Sequence, residues 1–442
     1  MAPKLQARTL KGFRDTLPQD MLPRRQMLGV IEATFRRHGF APLDTPALEY
    51  AELLTGKYGD EGDKLLYRFA DHGDRQVALR YDLTVPLARV VAQHRAALPT
   101  PLRRYHIASV WRADKPQRGR YREFAQCDVD IVGAAGPVAD AEVLSTGLNV
   151  LSALGVEGAV IHLNHRGLLS ALLEYAGVLT DKAQLLAMRA IDKWDKVGEQ
   201  GVRAELARVE EISAESIDKL LTAFSTTGET PAETLSALEG LIGGNEAIDR
   251  LREVLRLLAA AGHSSGVTID ATIARGLDYY TGVIYETRLT DPRVASIGAV
   301  MSGGRYDDLI GMFGKEQLPA VGISLGLDRL LAALGELNLL DEAHHGADVF
   351  VAVFNPEGRS DAFEAAAILR AAGVAAEIST VEGKLAKQFK RADKRGCRLA
   401  VVIGPDERKA GQVVVKDLRA GGQKSVTADE LAGYVTDILR QS

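Results

Sequence analysis

The sequence predicts an α+β chain: a domain on an antiparallel sheet, interrupted by a helical insertion and followed by a small, separate α/β domain. Three observations predict it. Over residues 64–165, and again from 264, short runs of alternating apolar and polar residues are bounded by turns, as antiparallel strands require. Over 177–262 the chain turns to Ala, Leu, Glu, Lys and Arg at helical spacing, with few β-branched runs. Over 348–439 strand and helix patterns alternate by type, as in βαβ units.

Taken in order, 22–38 reads as an amphipathic helix, because Met27, Ile31 and Phe35 recur every fourth position with Leu28 beside them. Gly39 ends it, and an extended piece runs to Pro46. Strands follow at 76–81, 104–111, 123–133 and 159–163, with helices at 85–94 and 138–154. After the insertion, strand character returns at 267–273 and 279–288, and 321–325 feeds a helix over 326–337. The stretch 335–346, with His344 and His345, reads as a linker. In the tail, strands at 348–353, 375–378, 399–403 and 413–416 alternate with helices at 361–372, 384–395 and 428–439. The predicted organisation is a sheet domain over 1–176 and 264–334, an insertion over 177–263, the linker, and a tail domain over 347–442.

Of the 442 residues 46% are hydrophobic and 26% charged, which supplies an ordinary core and excludes a disordered polyelectrolyte. No run approaches the roughly 20 apolar residues of a spanning helix, and the N-terminal residues lack the apolar centre of a secretory signal. Two cysteines, Cys127 and Cys397, are too few for a disulfide framework or a four-ligand zinc site, and the nine histidines show no metal-ligand spacing. The expectation is a soluble cytoplasmic chain with no membrane association and no protein-held metal. The net charge of −5 hides two basic stretches. Residues 384–398 carry seven Lys and Arg with Asp393 as their only acid, and 103–122 carry seven with Asp114 alone.

Two glycine motifs invite functional readings that their surroundings refuse. Gly322-Ile323-Ser324-Leu325-Gly326 fits the pattern of a nucleophile elbow. Only His344 and His345 lie downstream, with no room for the strands that would return them to the serine. Its glycines are expected to let a strand turn tightly into a helix. Gly303-Gly304-Arg305-Tyr306 lacks the Lys-Ser/Thr ending of a phosphate loop, and its glycines read as a turn.

Arginines in strand-like contexts carry the stronger signal. Arg112 follows Trp111; Arg120-Tyr121-Arg122-Glu123-Phe124 opens the next strand; Arg275-Gly276-Leu277-Asp278-Tyr279-Tyr280 opens a later one; Arg329 begins a helix. Residues at even spacing on a strand share a face, so Phe124, Gln126, Asp128 and Asp130 present a ring, an amide and two carboxylates together. Planar, always-charged donors suit a polyphosphate. A ring and a guanidinium can sandwich a purine, and carboxylates can hold an ammonium or an imidazole N–H.

With these residues the chain resembles the class II aminoacyl-tRNA synthetases and, among them, the histidine enzymes, from about Leu10 to the C-terminus. The stretch ending Leu43-Asp44-Thr45-Pro46 resembles motif 1, Trp111 to Asp130 motif 2, and Gly322 to Arg329 motif 3. Arg275 to Tyr280 and Gly303-Gly304-Arg305-Tyr306-Asp307 resemble the two signatures peculiar to the histidine enzymes. The resemblance implies a class II catalytic domain with an anticodon-binding tail, and a homodimer joined through motif 1. It implies ligation of L-histidine to tRNA(His) through histidyl-adenylate, with ATP and Mg²⁺ as the substrate complex. It implies that Arg112 and Arg275 flank the α-phosphate, with Arg112 also on the histidine carboxylate. Arg120 and Arg329 then serve the phosphates and the adenine side, Phe124 stacks on adenine, and Asp114 lies near its amino group. Asp82, Thr84 and Gln126 receive the α-amino group; Asp130 and Tyr280 read the imidazole; Tyr279 and Tyr306 belong to the same pocket. Asp82, Asp114 and Asp130 stand where many bacterial members carry glutamate, which, with the 118–124 stretch, implies the eukaryotic-type branch.

Overall fold

The computed structural model describes residues 6–117, 119–274, 279–340, 346–381 and 383–441, with the side chains of 60 and 61 left aside. Two compact units divide the chain, one of residues 1–15 and 27–339, the other of 16–26 and 340–442.

Eleven strands of the first unit are β1 (Ala41–Pro42), β2 (Leu48–Tyr50), β3 (Arg68–Ala70), β4 (Gln76–Leu79), β5 (Leu102–Trp111), β6 (Glu123–Val132), β7 (Ala159–His165), β8 (Val267–Ile269), β9 (Val283–Leu289), β10 (Met301–Arg305) and β11 (Ala320–Gly326). Eight of them form one sheet in the order β1-β5-β6-β11-β10-β9-β7-β8, and β2-β4-β3 form a small sheet beside it. The six central strands are antiparallel, as the alternation predicts. The two edges are not: β1 runs parallel to β5, and β8 parallel to β7. Parallel neighbours need a long crossover, and the helices predicted over 177–263 supply it between β7 and β8. Their last member, Glu246–Ala260, packs on the helix Pro137–Ala153.

A buried ion cluster ties the same parts together. Asp140, wholly buried on the helix Pro137–Ala153, accepts from Arg305 of β10 (Nε 3.0 Å, Nη2 2.6 Å) and from Arg250 of the insertion (Nε 2.6 Å). Removing one partner of such a cluster leaves a buried charge uncompensated, at a cost of about 3–5 kcal/mol.

The Gly303-Gly304 stretch is not the turn its glycines suggest. It lies in β10, in the middle of the large sheet. A Cβ on Gly303 would lie 2.1 Å from the carbonyl oxygen of Gly322 on β11. Its glycine is there for close strand approach rather than for reversal. Strand β9 begins at Val283 rather than 279. The helix Leu327–Glu336 runs into the predicted linker, whose residues 341–345 lie outside the described ones.

The second unit holds a five-stranded sheet in the order β13-β12-β14-β15-β16, with β12 (Val349–Val351), β13 (Ala376–Ile378), β14 (Leu399–Val402), β15 (Gln412–Asp417) and β16 (Gln423–Thr427). The parallel trio is linked by the helices Arg359–Ala371 and Leu385–Lys394, and β14, β15 and β16 are antiparallel. Both faces are covered: Val349 and Val351 join Leu369 and Leu431, while Phe350 and Ala352 join Ala392 and Cys397. Strand β16 carries one buried residue, Val426, among exposed ones, so no apolar alternation announces it.

Candidate active site

The site begins with strand register. On β6, Gln126, Asp128 and Asp130 stand opposite Ala108, His106 and Arg104 of β5, and opposite Gly326, Ser324 and Gly322 of β11. Ser302 of β10 stands opposite Ser324. Directly opposed residues share a face, so the predicted alternation assembles on one surface. Two cavities open there and share four lining residues, Arg112, Gln126, Ser302 and Ser324.

The first cavity is walled by Asp114, Arg120, Phe124 and Arg329 along with the shared set. Arg112 leaves the end of β5 and donates from Nε to the Tyr81 carbonyl at 3.0 Å. Its guanidinium lies 4.2 Å from the centroid of Tyr81 and 5.3 Å from that of Phe124, contacts that fix the plane of the fork. Arg120 is paired with Asp114 through two bonds, Nε to Oδ2 at 3.2 Å and Nη2 to Oδ1 at 2.9 Å. Arg329 donates to the Ala299 carbonyl at 2.9 Å. The neighbouring Asp328 accepts from Arg14 and from the backbone N–H of Ala125, and Arg14 stacks 3.8 Å over Tyr121. Sequence reasoning passed over Arg14; its one signal is a basic residue in a charged N-terminal stretch.

The second cavity is walled by Asp82, Thr84, Tyr279, Tyr280 and Glu286. Asp82 precedes the helix Thr84–Gln93 and accepts from the backbone N–H groups of Thr84 at 3.2 Å and Val85 at 3.0 Å, as a residue opening a helix does. Tyr58 and Tyr279 donate to its two oxygens at 3.2 and 3.1 Å. Tyr280 packs edge-on against Tyr279. Tyr58 and Glu286 were not foreseen: an isolated tyrosine, and a strand acid of ordinary alternation, carry no distinguishing pattern.

Asp130 and Tyr306 do not appear among the residues lining either cavity. They are buried together, with Tyr306 donating to Asp130 Oδ1 and Arg104 Nη2 lying 2.7 Å from Oδ2. Asp130 leans across Gly322, where an added Cβ would lie 1.9 Å from Oδ1. Close approach to Asp130, rather than the turn into the following helix, is what demands glycine at 322. Arg275 lies outside the described residues.

Electrostatics follow from burial. Desolvation raises the carboxyls of Asp82 and Asp130, against the pull of Arg112 on one and Arg104 on the other. Asp128 is pushed up to about 7 by burial, opposed first by Arg104 and reinforced by Asp130. The Tyr58, Tyr279 and Tyr306 hydroxyls are held well above the usual phenol range by burial and the adjacent carboxylates, so they act as donors. The surface thus offers fixed cations and a ring in one cavity, and acids with phenol donors in the other.

A family model described as "Histidyl-tRNA synthetase" matches residues 12–330, and one described as "Anticodon binding domain" matches 348–438. The chain is 46% identical over 419 residues to the histidine–tRNA ligase of Rhodopirellula baltica, with 94% of each covered. The crystal structure of histidyl-tRNA synthetase from Nostoc sp. PCC 7120 superposes with a TM-score of 0.85 at 31% identity, covering 98% of this chain and 100% of that one. A Bacillus halodurans structure titled as an ATP phosphoribosyltransferase regulatory subunit/histidyl-tRNA synthetase superposes with a TM-score of 0.74 at 25% identity, covering 91% and 99%. By sequence along nearly its whole length, and by fold, the chain belongs to the histidyl-tRNA synthetase family.

Proposed function

We propose that the chain is a histidine–tRNA ligase, activating L-histidine with ATP to histidyl-adenylate and passing it to the 3′ end of tRNA(His). The observation that carries this reading is Arg112, the one cation among the four residues lining both cavities. A guanidinium there can hold the amino-acid carboxylate and the α-phosphate together, which is the juxtaposition that in-line attack needs. The carboxylate oxygen bonds to phosphorus, pyrophosphate leaves, and charge gathers on the nonbridging oxygens; fixed cations lower that barrier without a proton transfer. Arg275 serves as the second catalytic arginine.

In the first cavity Phe124 stacks on adenine with Asp114 near its amino group, while Arg120 and Arg329 serve the phosphates and the adenine side. Arg120 must turn from Asp114 to do so. Mg²⁺ arrives on the ATP phosphates, the usual habit of that ion. In the second cavity Asp82, Thr84 and Gln126 receive the α-amino group. Asp130 and Tyr280 read the imidazole, with Tyr279 and Tyr306 in support; Asp130 and Tyr306, which line neither cavity, must open toward the second one to do so. Arg104 and Tyr306 leave Asp130 with free lone pairs, enough for one imidazole N–H. A ligand without that N–H leaves buried polar groups unpaired, which supplies selectivity.

Residues 1–176 and 264–334 form the catalytic domain, 177–263 its insertion, 335–346 a linker, and 347–442 the anticodon-binding domain. Two chains pair through motif 1, and the enzyme works in the cytoplasm; among the described residues no helix is long and apolar enough to cross a membrane. The eukaryotic-type assignment rests on the shortened acids and the 118–124 stretch, whereas the relatives named above are bacterial.

ATP–pyrophosphate exchange without tRNA, run with each of the twenty amino acids in parallel, tests the reading. Exchange with histidine is the expected result. Its absence would point to a silent relative with a regulatory or RNA-binding role.

A further inference from the structure

Tyr121 and Asp328 line the first cavity beside Arg120 and Arg329, and neither has a part in the chemistry described so far. One side chain reaches both. The Arg14 guanidinium lies 3.8 Å from the centroid of the Tyr121 ring, and its Nη2 donates to Asp328 Oδ1. Arg14 itself does not appear among the residues lining the cavity. Asp328 is buried in the first turn of the helix Leu327–Glu336, and its Oδ2 accepts from the backbone N–H of Ala125 on β6 at 3.1 Å. This carboxylate therefore joins the helix that carries Arg329 to the strand that carries Phe124. The backbone beside Arg14 is fastened to the loop between β5 and β6, which carries Arg120 and Tyr121. There the Gly12 carbonyl accepts from the Arg122 N–H at 2.9 Å, and the Lys11 carbonyl from Arg122 Nη1 at 3.2 Å. The Arg122 carbonyl accepts in turn from the N–H of Arg112 at 2.9 Å. The elements bearing Arg112, Arg120 and Arg329 are thus all tied to one short N-terminal stretch.

We propose that Arg14 is a positioning residue for ATP: without touching the nucleotide, it locks the β5–β6 loop against the helix Leu327–Glu336, so that Arg120 and Arg329 meet the nucleotide at a fixed spacing. A guanidinium suits both contacts at once, since its face can lie on a ring while its edge donates to a carboxylate. Arg120 has to turn from Asp114 to reach the phosphates; a loop held at Tyr121 confines that movement to the side chain. This inference rests on the reading of the first cavity as the ATP site.

The test is histidine-dependent exchange by the full chain with Arg14→Ala, Arg14→Lys and Phe124→Ala, reading KM for ATP and for histidine separately. Arg14→Ala is expected to raise KM for ATP about tenfold, the weight of one hydrogen bond to a charged group, while KM for histidine stays near that of the wild type. Arg14→Lys keeps a cation for the buried carboxylate, so it folds even if the alanine variant does not. It should still raise KM for ATP, by less, because an ammonium cannot lie flat on Tyr121 while donating edgewise. A wild-type KM for ATP in Arg14→Lys, or equal rises in the two KM values, overturns the inference and leaves the enzyme's assignment intact. Phe124→Ala probes the cavity itself and should raise KM for ATP whatever Arg14 does. If it does not, or if the wild-type chain shows no histidine-dependent exchange, the reading of the cavity fails and the inference falls with it.

Discussion

At the scale of single residues, the site depends on groups whose charge or plane is set by neighbours. Arg112 is held between Tyr81 and Phe124 with its Nε on a carbonyl. A lysine there keeps the charge but cannot form a planar fork. Arg112→Lys is expected to slow histidine-dependent exchange by about 10²-fold or more while the melting temperature changes little; near-normal exchange would remove Arg112 from the chemistry. Asp128 behaves differently. It is pushed up to about 7 by burial, with Arg104 of β5 opposing, Asp130 of its own strand reinforcing, Ser324 of β11 opposing, and Asp82 reinforcing. A carboxyl whose folded pKa exceeds its unfolded one binds protons more tightly in the native state. Its stabilising contribution is therefore fully present below the unfolded value and lost as pH rises through about 7. Asp128→Asn should gain stability relative to the wild type between pH 5 and about 8, read from thermal melts across that range; parallel curves would mean the carboxyl is not buried in this way.

At the scale of elements, glycine does unlike things within one motif. A Cβ at Gly322 would meet Asp130 Oδ1 at 1.9 Å, whereas at Gly326 the nearest atom is the Val300 carbonyl oxygen at 3.7 Å. Gly322→Ala is expected to cost about 1–3 kcal/mol or more through overpacking, and Gly326→Ala far less, as thermal melts of the two variants would show. Sequence reasoning treated both as turn glycines because spacing carries no record of what lies across a strand. For the same reason it read Gly303-Gly304 as a turn: a central strand built of glycines has no apolar alternation to reveal it. Strands β5 and β6, which bury Tyr105, Cys127, Val129 and Ile131 on one side, were legible from alternation alone. So were most helices, since their apolar positions recur at helical period.

At the scale of the whole molecule, a net charge of −5 coexists with a basic tail surface. The helix Leu385–Lys394 buries Gln388 and Ala392 and leaves Lys387, Lys390, Arg391 and Lys394 exposed. Gln388 fastens it by bonding the N–H and the carbonyl of Val353, so the cations can change without loss of the fold. Replacing those four by alanine should weaken tRNA charging by about tenfold or more and flatten its salt dependence, while exchange without tRNA stays near normal. Equal loss of both activities would mean the helix supports folding instead.

The α+β class, the site-bearing strands β5, β6 and β11, the helical insertion, the tail and the residue types of a nucleotide and amino-acid site were legible in the sequence, because period, turn chemistry and side-chain type are local properties. The meeting of Asp82, Arg112, Ser302 and Ser324 around two joined cavities, the pairing of Asp130 with Arg104, and the parallel edges of the sheet were not. Those depend on which strands lie side by side and in what register, and that is set by packing across hundreds of residues, beyond the reach of any local pattern.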